Sequence, residues 1–375
     1  MSSVWGRQLK VSLFGASHGP AVGVVIDGLP AGFEIDMARI ENQLRRRAPG
    51  GEPWKTARLE ADVPEILSGL YRGKTTGAPL AAMFKNTDAR SGDYDQPYVI
   101  RPGHADLVGL MRYNGANDPR GGGHFSGRLT CPLTFAGSVA MQVLQKLGCH
   151  IVAHVLQIGS VLDTSFESFG EADFAQAEWS KSIAQKPIPT IQAQVAEDMM
   201  QAILSAKALQ DSVGGVVEVV AWGFPAGIGH PIFAGLEPHL ASLFFAVPAV
   251  KGVSFGAGFD VANRLGSENN DVPILQQDSS QRIRYQTNHS GGAEGGITTG
   301  MPILAKIAIK PTPTIGKAQE SIDLGQMTRT MIEGKGRHDP CIVPRAVPVM
   351  EAAMAIGLLD LWLMWRGNQP NEGTF

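Results

Sequence analysis

The sequence predicts an α/β protein of the α+β type, in which helices pack on mixed or antiparallel sheets. Short β-prone runs and helical runs do not alternate in strict βαβ order. Several β-prone runs are separated only by short turns rich in Gly and Pro. The 45 Gly and 24 Pro form no collagen period and no low-complexity run, so they imply many turns and close backbone approaches.

Strands are expected at Leu9–Phe14 and Gly23–Asp27, where Val, Ile and Leu cluster between glycines. A helix follows at Asp36–Arg47. Further strands are expected at Glu65–Leu70 and Leu80–Phe84, then a helix at Pro132–Leu147. In that helix Leu133, Ala136, Ala140, Val143, Leu144 and Leu147 mark one apolar face, Pro132 sits in the first turn and Gly148 is the stop. The remaining strands are His150–Ile158, Gly215–Trp222, Gly252–Phe255 and Ile303–Ile309; the remaining helices are Ala196–Leu209, Leu236–Phe245 and Val347–Trp365. No linker-like segment divides the chain, so one large domain is expected over residues 1–375, with a flexible tail at 367–375.

A net charge of −3 and ordinary apolar content exclude general nucleic-acid affinity and disorder. Three widely spaced cysteines without a CxxC suit a reducing cytoplasm and no cysteine-based metal site. "MSSVWGRQLK" lacks the apolar core of a signal peptide. "AAMAIGLLDLWLMW" is too short to span a bilayer and carries Asp360, so it is read as a buried helix and no membrane partner is expected.

"GASHG" fits the G-x-S-x-G pattern of a hydrolase nucleophile elbow, which demands a strand before the serine and a helix after it. The segment that follows, "AVGVVIDG", is β-prone, so the motif is a strand–turn–strand and His18 is the residue to explain. Five of the nine histidines lie beside Gly-rich turns: His18, His104 in "RPGHAD", His124 in "RGGGHFSGR", His289 in "NHSGGAEGG" and His338 in "GKGRHDP". Arg101, Arg120, Arg128 and Arg337 join them, as does "RRRAPGG" at Arg45–Arg47. Glycine lets backbone N–H groups converge on an anion, and arginine forks hold carboxylate or phosphate. "GLYRGKTTG" is one residue short of a P-loop and leads into a strand; no Rossmann fingerprint opens a helix, and no H-x-x-x-H spacing marks a metal. The residues therefore point to an enzyme acting on a small, multiply anionic, phosphorylated substrate, with His as acid and Asp339 as base or base-helper.

The ordered set "GASHG", "RRRAPG", "RPGHAD", "RGGGHFSGR", "NHSGGAEGGITTG", "KPTPT" and "GKGRHDPC…PRAVPV", running from Gly6 to Trp365, resembles the chorismate synthase family. The resemblance implies a cytoplasmic lyase of the shikimate pathway and of aromatic amino acid biosynthesis. Its reaction is a formal anti-1,4-elimination of phosphate from 5-enolpyruvylshikimate 3-phosphate, giving chorismate. It requires reduced FMN without net redox change, the flavin being reduced by a separate NADPH-linked reductase. It also implies a β-α-β sandwich with helices held between sheets, and a homotetramer. Carried over by position, His18 would protonate the departing phosphate, and His104 would keep the flavin protonated. Asp339 would assist proton removal through the flavin N5. Arg46, Arg47, Arg128 and Arg337 would bind the substrate's anions. Ser126, Ala249, Gly295, Lys310, Pro311, Thr312, Pro313, Thr314 and Arg337 would contact FMN.

The chain departs from the family pattern at Ala16, where an acid precedes Ser-His, and at His124–Thr130, where an Arg and an acid are lost. Pro248 replaces a common Asn, and Pro53 aligns with an Arg assigned to nicotinamide binding. Two other readings use the same loops: a phosphatase or phosphotransferase, and a non-catalytic paralogue that binds flavin or anionic metabolites.

Overall fold

The computed structural model describes residues 3–50, 60–87, 98–170, 173–174, 178–275, 283–334 and 339–367. Two five-stranded sheets face each other across a layer of helices. The first sheet contains β1 (Val4–Trp5), β2 (Lys10–Gly15), β3 (Ala21–Asp27), β4 (Glu65–Ser68) and β5 (Leu80–Lys85), in the order β1-β2-β3-β5-β4. The second contains β6 (His150–Ile158), β7 (Val161–Leu162), β8 (Gly215–Trp222), β9 (Val250–Phe255) and β10 (Ile303–Ile309), in the order β9-β10-β8-β6-β7. Every pairing in both sheets is antiparallel, which sharpens the expectation of mixed or antiparallel sheets.

Between the sheets lie α1 (Met37–Arg47), α3 (Thr130–Lys146), α6 (Leu236–Ala246) and α7 (Val343–Gly367). Helix α3 touches both sheets, at β2, β3, β5 and β6, and packs along α7, which itself covers β6 and β8. One apolar core runs from Val24 and Phe84 through Phe135 and Met354 to Val219 and Ile307. The remaining labelled helices are α2 (Asp106–Arg112), α4 (Glu178–Gln185) and α5 (Ala193–Ala208), and a hairpin is formed by β11 (Gln319–Asp323) and β12 (Thr328–Ile332).

Helix α1 begins where expected, with the Asp36 carboxylate accepting from the Arg39 N–H at 3.2 Å as N-cap. Three of the expected helices start earlier than read, β9 begins at Val250 rather than Gly252, and β4 ends at Ser68 rather than Leu70. Helix α3 starts two residues early, at Thr130, and is buried on nearly all sides rather than along one face. Pro132 is tolerated there because first-turn donors have no intrahelical partner. The end is as read: Gly148, at φ +83°, closes a Schellman motif in which its N–H donates to the Gln145 carbonyl and that of Cys149 to Leu144. Helix α5 starts at Ala193 rather than Ala196. Helix α7 starts at Val343, not Val347, and continues through Pro348, which leaves the Pro344 carbonyl without its helical donor.

By length and composition α7 could cross a membrane, so the segment is longer than read, but 94% of its apolar window is buried in the fold. The buried-helix reading holds. Asp360 lies deep on α7 and accepts from the N–H groups of Arg7, Gln8 and Leu9 at 2.7–3.2 Å, with His239 Nε2 3.1 Å away. Burial raises this carboxyl, but His239 and the three amides outweigh burial and hold it below the ordinary range.

The α3–α7 crossing is set by Gly137, where an added Cβ would lie 2.1 Å from Ala352 Cβ and 2.2 Å from its Cα. The nearest obstacle includes backbone, so no rotamer change relieves it. We expect Gly137→Ala to cost about 1–3 kcal/mol of stability through overpacking, read as a lower urea midpoint; an unchanged midpoint would mean the helices can separate freely.

Candidate active site

The turn carrying His18 joins β2 to β3 as a hairpin, with Gly15 paired to Val22. No helix follows Ser17, so the elbow geometry is absent and the strand–turn–strand reading is correct. Ser17 is buried; its N–H donates to the Gly123 carbonyl at 3.1 Å, and its Oγ accepts from the Gly122 N–H at 3.3 Å. The same Oγ lies 3.1 Å from His18 Nδ1 and orients the half-buried imidazole. Gly121, at φ +61°, makes this approach possible: a Cβ there would fall 2.2 Å from both His18 Nδ1 and Cε1. "GASHG" and "RGGG" are thus two sides of one contact.

The second histidine is fixed by a carboxylate. His104 Nδ1 lies 2.8 Å from Asp106 Oδ1 and 3.2 Å from Arg101 Nη2. Arg101 Nη2 already directs its hydrogens at Asp106 Oδ1 and the Gly121 carbonyl, each at 2.6 Å. His104 Nδ1 therefore donates to Asp106, and the tautomer is set. Burial raises the Asp106 carboxyl, but Arg101 and His104 overcome it and hold it far below the ordinary carboxylate range. The strand-like residues before Arg101 are tied to the β11–β12 hairpin: the Ile100 N–H donates to the Ile322 carbonyl at 3.1 Å, and Ser321 Oγ donates back to the Ile100 carbonyl.

The "KPTPT" segment bridges the second histidine to Asp339. Lys310 Nζ donates to the Gly103 carbonyl at 2.6 Å, and Thr312 Oγ1 donates to the Asp339 carbonyl at 2.7 Å. The Asp339 Oδ2 accepts from Arg345 Nη1 at 2.5 Å, and Arg345 Nε donates to the Arg47 carbonyl at 3.1 Å. Arg47 Nη1 donates to Asp62 Oδ2 at 2.6 Å, and Asp62 Oδ1 accepts from Arg128 Nη1. Arg128 Nε donates to Asn86 Oδ1 at 2.9 Å, and the Asn86 amide donates to the Ala16 and Gly19 carbonyls at 3.0 and 2.8 Å, back on the His18 turn. The loops thus form a closed circuit of hydrogen bonds and short stretches of main chain that passes His18 and His104 and runs through Asp339, Arg47 and Arg128.

Other predicted residues fall beside or outside this circuit. Ser126 caps the short turn at Gly127–Leu129 by accepting from the Arg128 N–H at 3.2 Å, and it packs against Gly122. Ala249, in the left-handed region at φ +74°, accepts from the Lys310 N–H at 2.9 Å. Gly295 turns the hairpin Glu294–Ile297 at φ +58°; the hydrogen bonds of that hairpin run to Ile228 and Leu236. Arg46 turns away from Arg47: its Nη1 and Nη2 grip Glu351 of α7 at 2.6 and 3.0 Å, and Glu351 also accepts from the Ala153 N–H. Arg337, His338, Pro53 and the tail at 368–375 lie outside the described residues.

Sequence reasoning missed Asp62, Asn86 and Gly121, left Asp106 without a role and read Arg101 only as one of the anion-holding loop arginines. Arg101 and Asp106 stand inside "RPGHAD", three and two residues from His104, close enough to have been read as its partners. Asp62 offers no local pattern; only the fold brings it to Arg47 and Arg128.

Comparison with known proteins gives the family. Residues 9–363 match the family model described as chorismate synthase. A chorismate synthase of Korarchaeum cryptofilum is 44% identical over 358 residues, covering 95% of this chain and 96% of that protein. One from Pyrococcus abyssi is 47% identical over 365 residues, covering 96% and 98%. A crystal structure of a chorismate synthase superposes with a TM-score of 0.74 at 28% identity, covering 97% of this chain and 94% of the other. Motifs, architecture and relatives agree over almost the whole length, and the chain belongs to the chorismate synthase family.

Proposed function

We propose that the chain eliminates phosphate from 5-enolpyruvylshikimate 3-phosphate to give chorismate, as a carbon–oxygen lyase of the cytoplasmic shikimate pathway. The observation that carries this is the closed circuit, which gathers two oriented imidazoles, a carboxylate and buried guanidinium groups from separate loops. A substrate with two carboxylates and a phosphate needs this donor chemistry.

In the assigned roles, His18 gives a proton to the departing phosphate, its ring held by Ser17 Oγ at 3.1 Å. His104, with Nδ1 committed to Asp106, exchanges a proton at Nε2. Asp339, gripped by Arg345, assists loss of the ring hydrogen. Arg47 and Arg128 hold substrate anions with the N–H groups that the described residues leave unused, and Arg337 completes the set, whereas Arg46 is committed to Glu351.

The donor set also fits FMN. The Lys310 ammonium, with two N–H groups beyond its bond to Gly103, and the Thr314 hydroxyl suit a phosphate, and a Cβ at Gly295 would meet nothing within 4 Å, which leaves open space beside that backbone. Ser126, Ala249, Gly295, Lys310 to Thr314 and Arg337 are the residues we assign to hold it. The chemistry that bound reduced FMN would supply is reversible electron donation to the breaking carbon–oxygen bond, with no net redox change.

The phosphatase reading lacks a thiol nucleophile. All three cysteines are buried, and burial pushes the Cys149 and Cys341 thiols up to about 12. The chorismate synthase reading makes the active protein a homotetramer, as the family resemblance implies. An anaerobic assay with chemically reduced FMN tests the function: chorismate and phosphate should form together. Phosphate alone, or neither product, would overturn it.

A further inference from the structure

We infer that Asp62 is a positioning residue for substrate binding, fixing the guanidinium planes of Arg47 and Arg128 through its two carboxylate oxygens. The inference rests on the assignment of those arginines to the substrate.

The Asp62 side chain is wholly buried, and each oxygen takes one guanidinium: Oδ2 that of Arg47 at 2.6 Å, Oδ1 that of Arg128. The two arginines arrive from different elements, the last turn of α1 and the short turn before α3. Each is already anchored at Nε, Arg47 to Thr130 Oγ1 at 3.1 Å and Arg128 to Asn86 Oδ1 at 2.9 Å. Each also has an Nη2 on a main-chain carbonyl, Gly127 at 3.3 Å and Lys85 at 3.2 Å. With two edges of each fork pinned, the contact with Asp62 removes the remaining rotation and holds two like charges side by side.

Asp62 sits at φ +48°, a backbone conformation that few residues other than glycine adopt, though aspartate is among those that tolerate it. Burial raises its carboxyl and the two guanidinium groups outweigh burial, so the group is ionised and serves both forks at once. Glu60 lies 3.8 Å from Arg128 Nη2 and adds a second negative charge. Two cations facing two carboxylates leave little net field to attract an anion, so what Asp62 contributes is direction rather than charge. Through Arg128 and Asn86 the same carboxylate is also linked to the His18 turn.

The test is steady-state kinetics of Asp62→Asn with chemically reduced FMN, varying 5-enolpyruvylshikimate 3-phosphate. Asparagine keeps the shape and one acceptor but cannot serve both forks. KM should rise roughly 10- to 100-fold, the usual effect of losing an orienting partner, with kcat changing far less. In the double variant with Arg128→Lys, KM should be no worse than in Arg128→Lys alone, because both changes act on one fork. A lower KM in Asp62→Asn would make the carboxylate a competitor for the substrate, and an unchanged KM with a lower urea midpoint would make it purely structural; either overturns the inference. If Arg128→Lys and Arg47→Lys alone leave KM unchanged, the assignment of the arginines has failed, and the inference with it. Should Asp62→Asn not fold, Asp62→Glu keeps the charge but displaces it by one methylene, and a KM equal to wild type there would also overturn it.

Discussion

Replacing His18 by alanine lowers turnover by roughly 10²–10⁴-fold, the span expected for a lost general acid, while the urea midpoint stays near that of the parent. The residue lies on the β2–β3 turn, half-buried, and the turn itself is held by the Ser17 N–H and by Asn86. Loss of the ring therefore removes the proposed proton donor and should leave the hairpin intact. Gly121→Ala is the companion test. Its new Cβ would occupy space 2.2 Å from His18 Nδ1 and Cε1, at a φ of +61° that alanine resists, so the imidazole must leave its place although it is chemically present. Turnover should fall into the same range. Wild-type turnover in His18→Ala would remove this histidine from the mechanism, and full activity in Gly121→Ala would show that its position is not critical.

The largest effect on stability is expected far from this site, on the outer face of the second sheet. His154 and Glu218 are direct cross-strand partners on β6 and β8, both wholly buried, with His154 Nε2 2.9 Å from Glu218 Oε2 and Nδ1 3.3 Å from Asp163 Oδ2. Asp163 also accepts from the Ile191 and Gln192 N–H groups, and Glu218 from Ser165 Oγ and the Phe166 N–H. This polar knot anchors an aromatic cluster of Phe166, Phe169, Phe174, Trp179 and Trp222 over the sheet. His154→Ala leaves two buried carboxylates without their shared cation and should cost about 3–5 kcal/mol.

The pH dependence follows from the directions of the shifts. Burial lowers the proton affinity of His154, but the two carboxylates outweigh it, so its folded value lies above 6.5. Its contribution is complete below about that pH and fades as pH rises through the folded value. Burial raises the Asp163 carboxyl, yet His154 and the amides hold it below 3.8, so its contribution is present above that pH and is lost as pH falls through the folded value. Urea midpoints of parent and variant should therefore differ most between these limits and converge on the alkaline side. A difference that stays constant through alkaline pH would show that the imidazole is not a cation in the folded protein.

How much of this was legible depends on whether the cause was local. The boundaries of β6, β8 and β10 agree with the sequence because β-branched runs bounded by Gly and Pro fix strands locally. The motifs that carry His18, His104 and Asp339 were also visible, since Gly, His and Arg recur together in short loops. The neighbours of those motifs were not. "RRR" reads as one basic cluster, but successive helical residues turn about 100°. Arg46 therefore meets Glu351 in the helix layer, whereas Arg47 meets Asp62 at the site. Helix α2 escaped notice because Gly109 interrupts it and its Leu107, Val108 and Met111 are exposed, which leaves no amphipathic period to detect. Pro348 hid the first turn of α7 because propensity argues against a helix that tertiary burial maintains.

Helix α7 follows every strand of both sheets in the chain, yet it supplies much of the filling between them, and its Asp360 fastens residues 7–9. During synthesis, therefore, the two sheets leave the ribosome with their inner faces covered only in part, by α1, α3 and α6, and residues 7–9 lack this anchor until α7 follows. Such an order favours late, cooperative closure and a long period in which the nascent polypeptide depends on chaperones to stay out of aggregates.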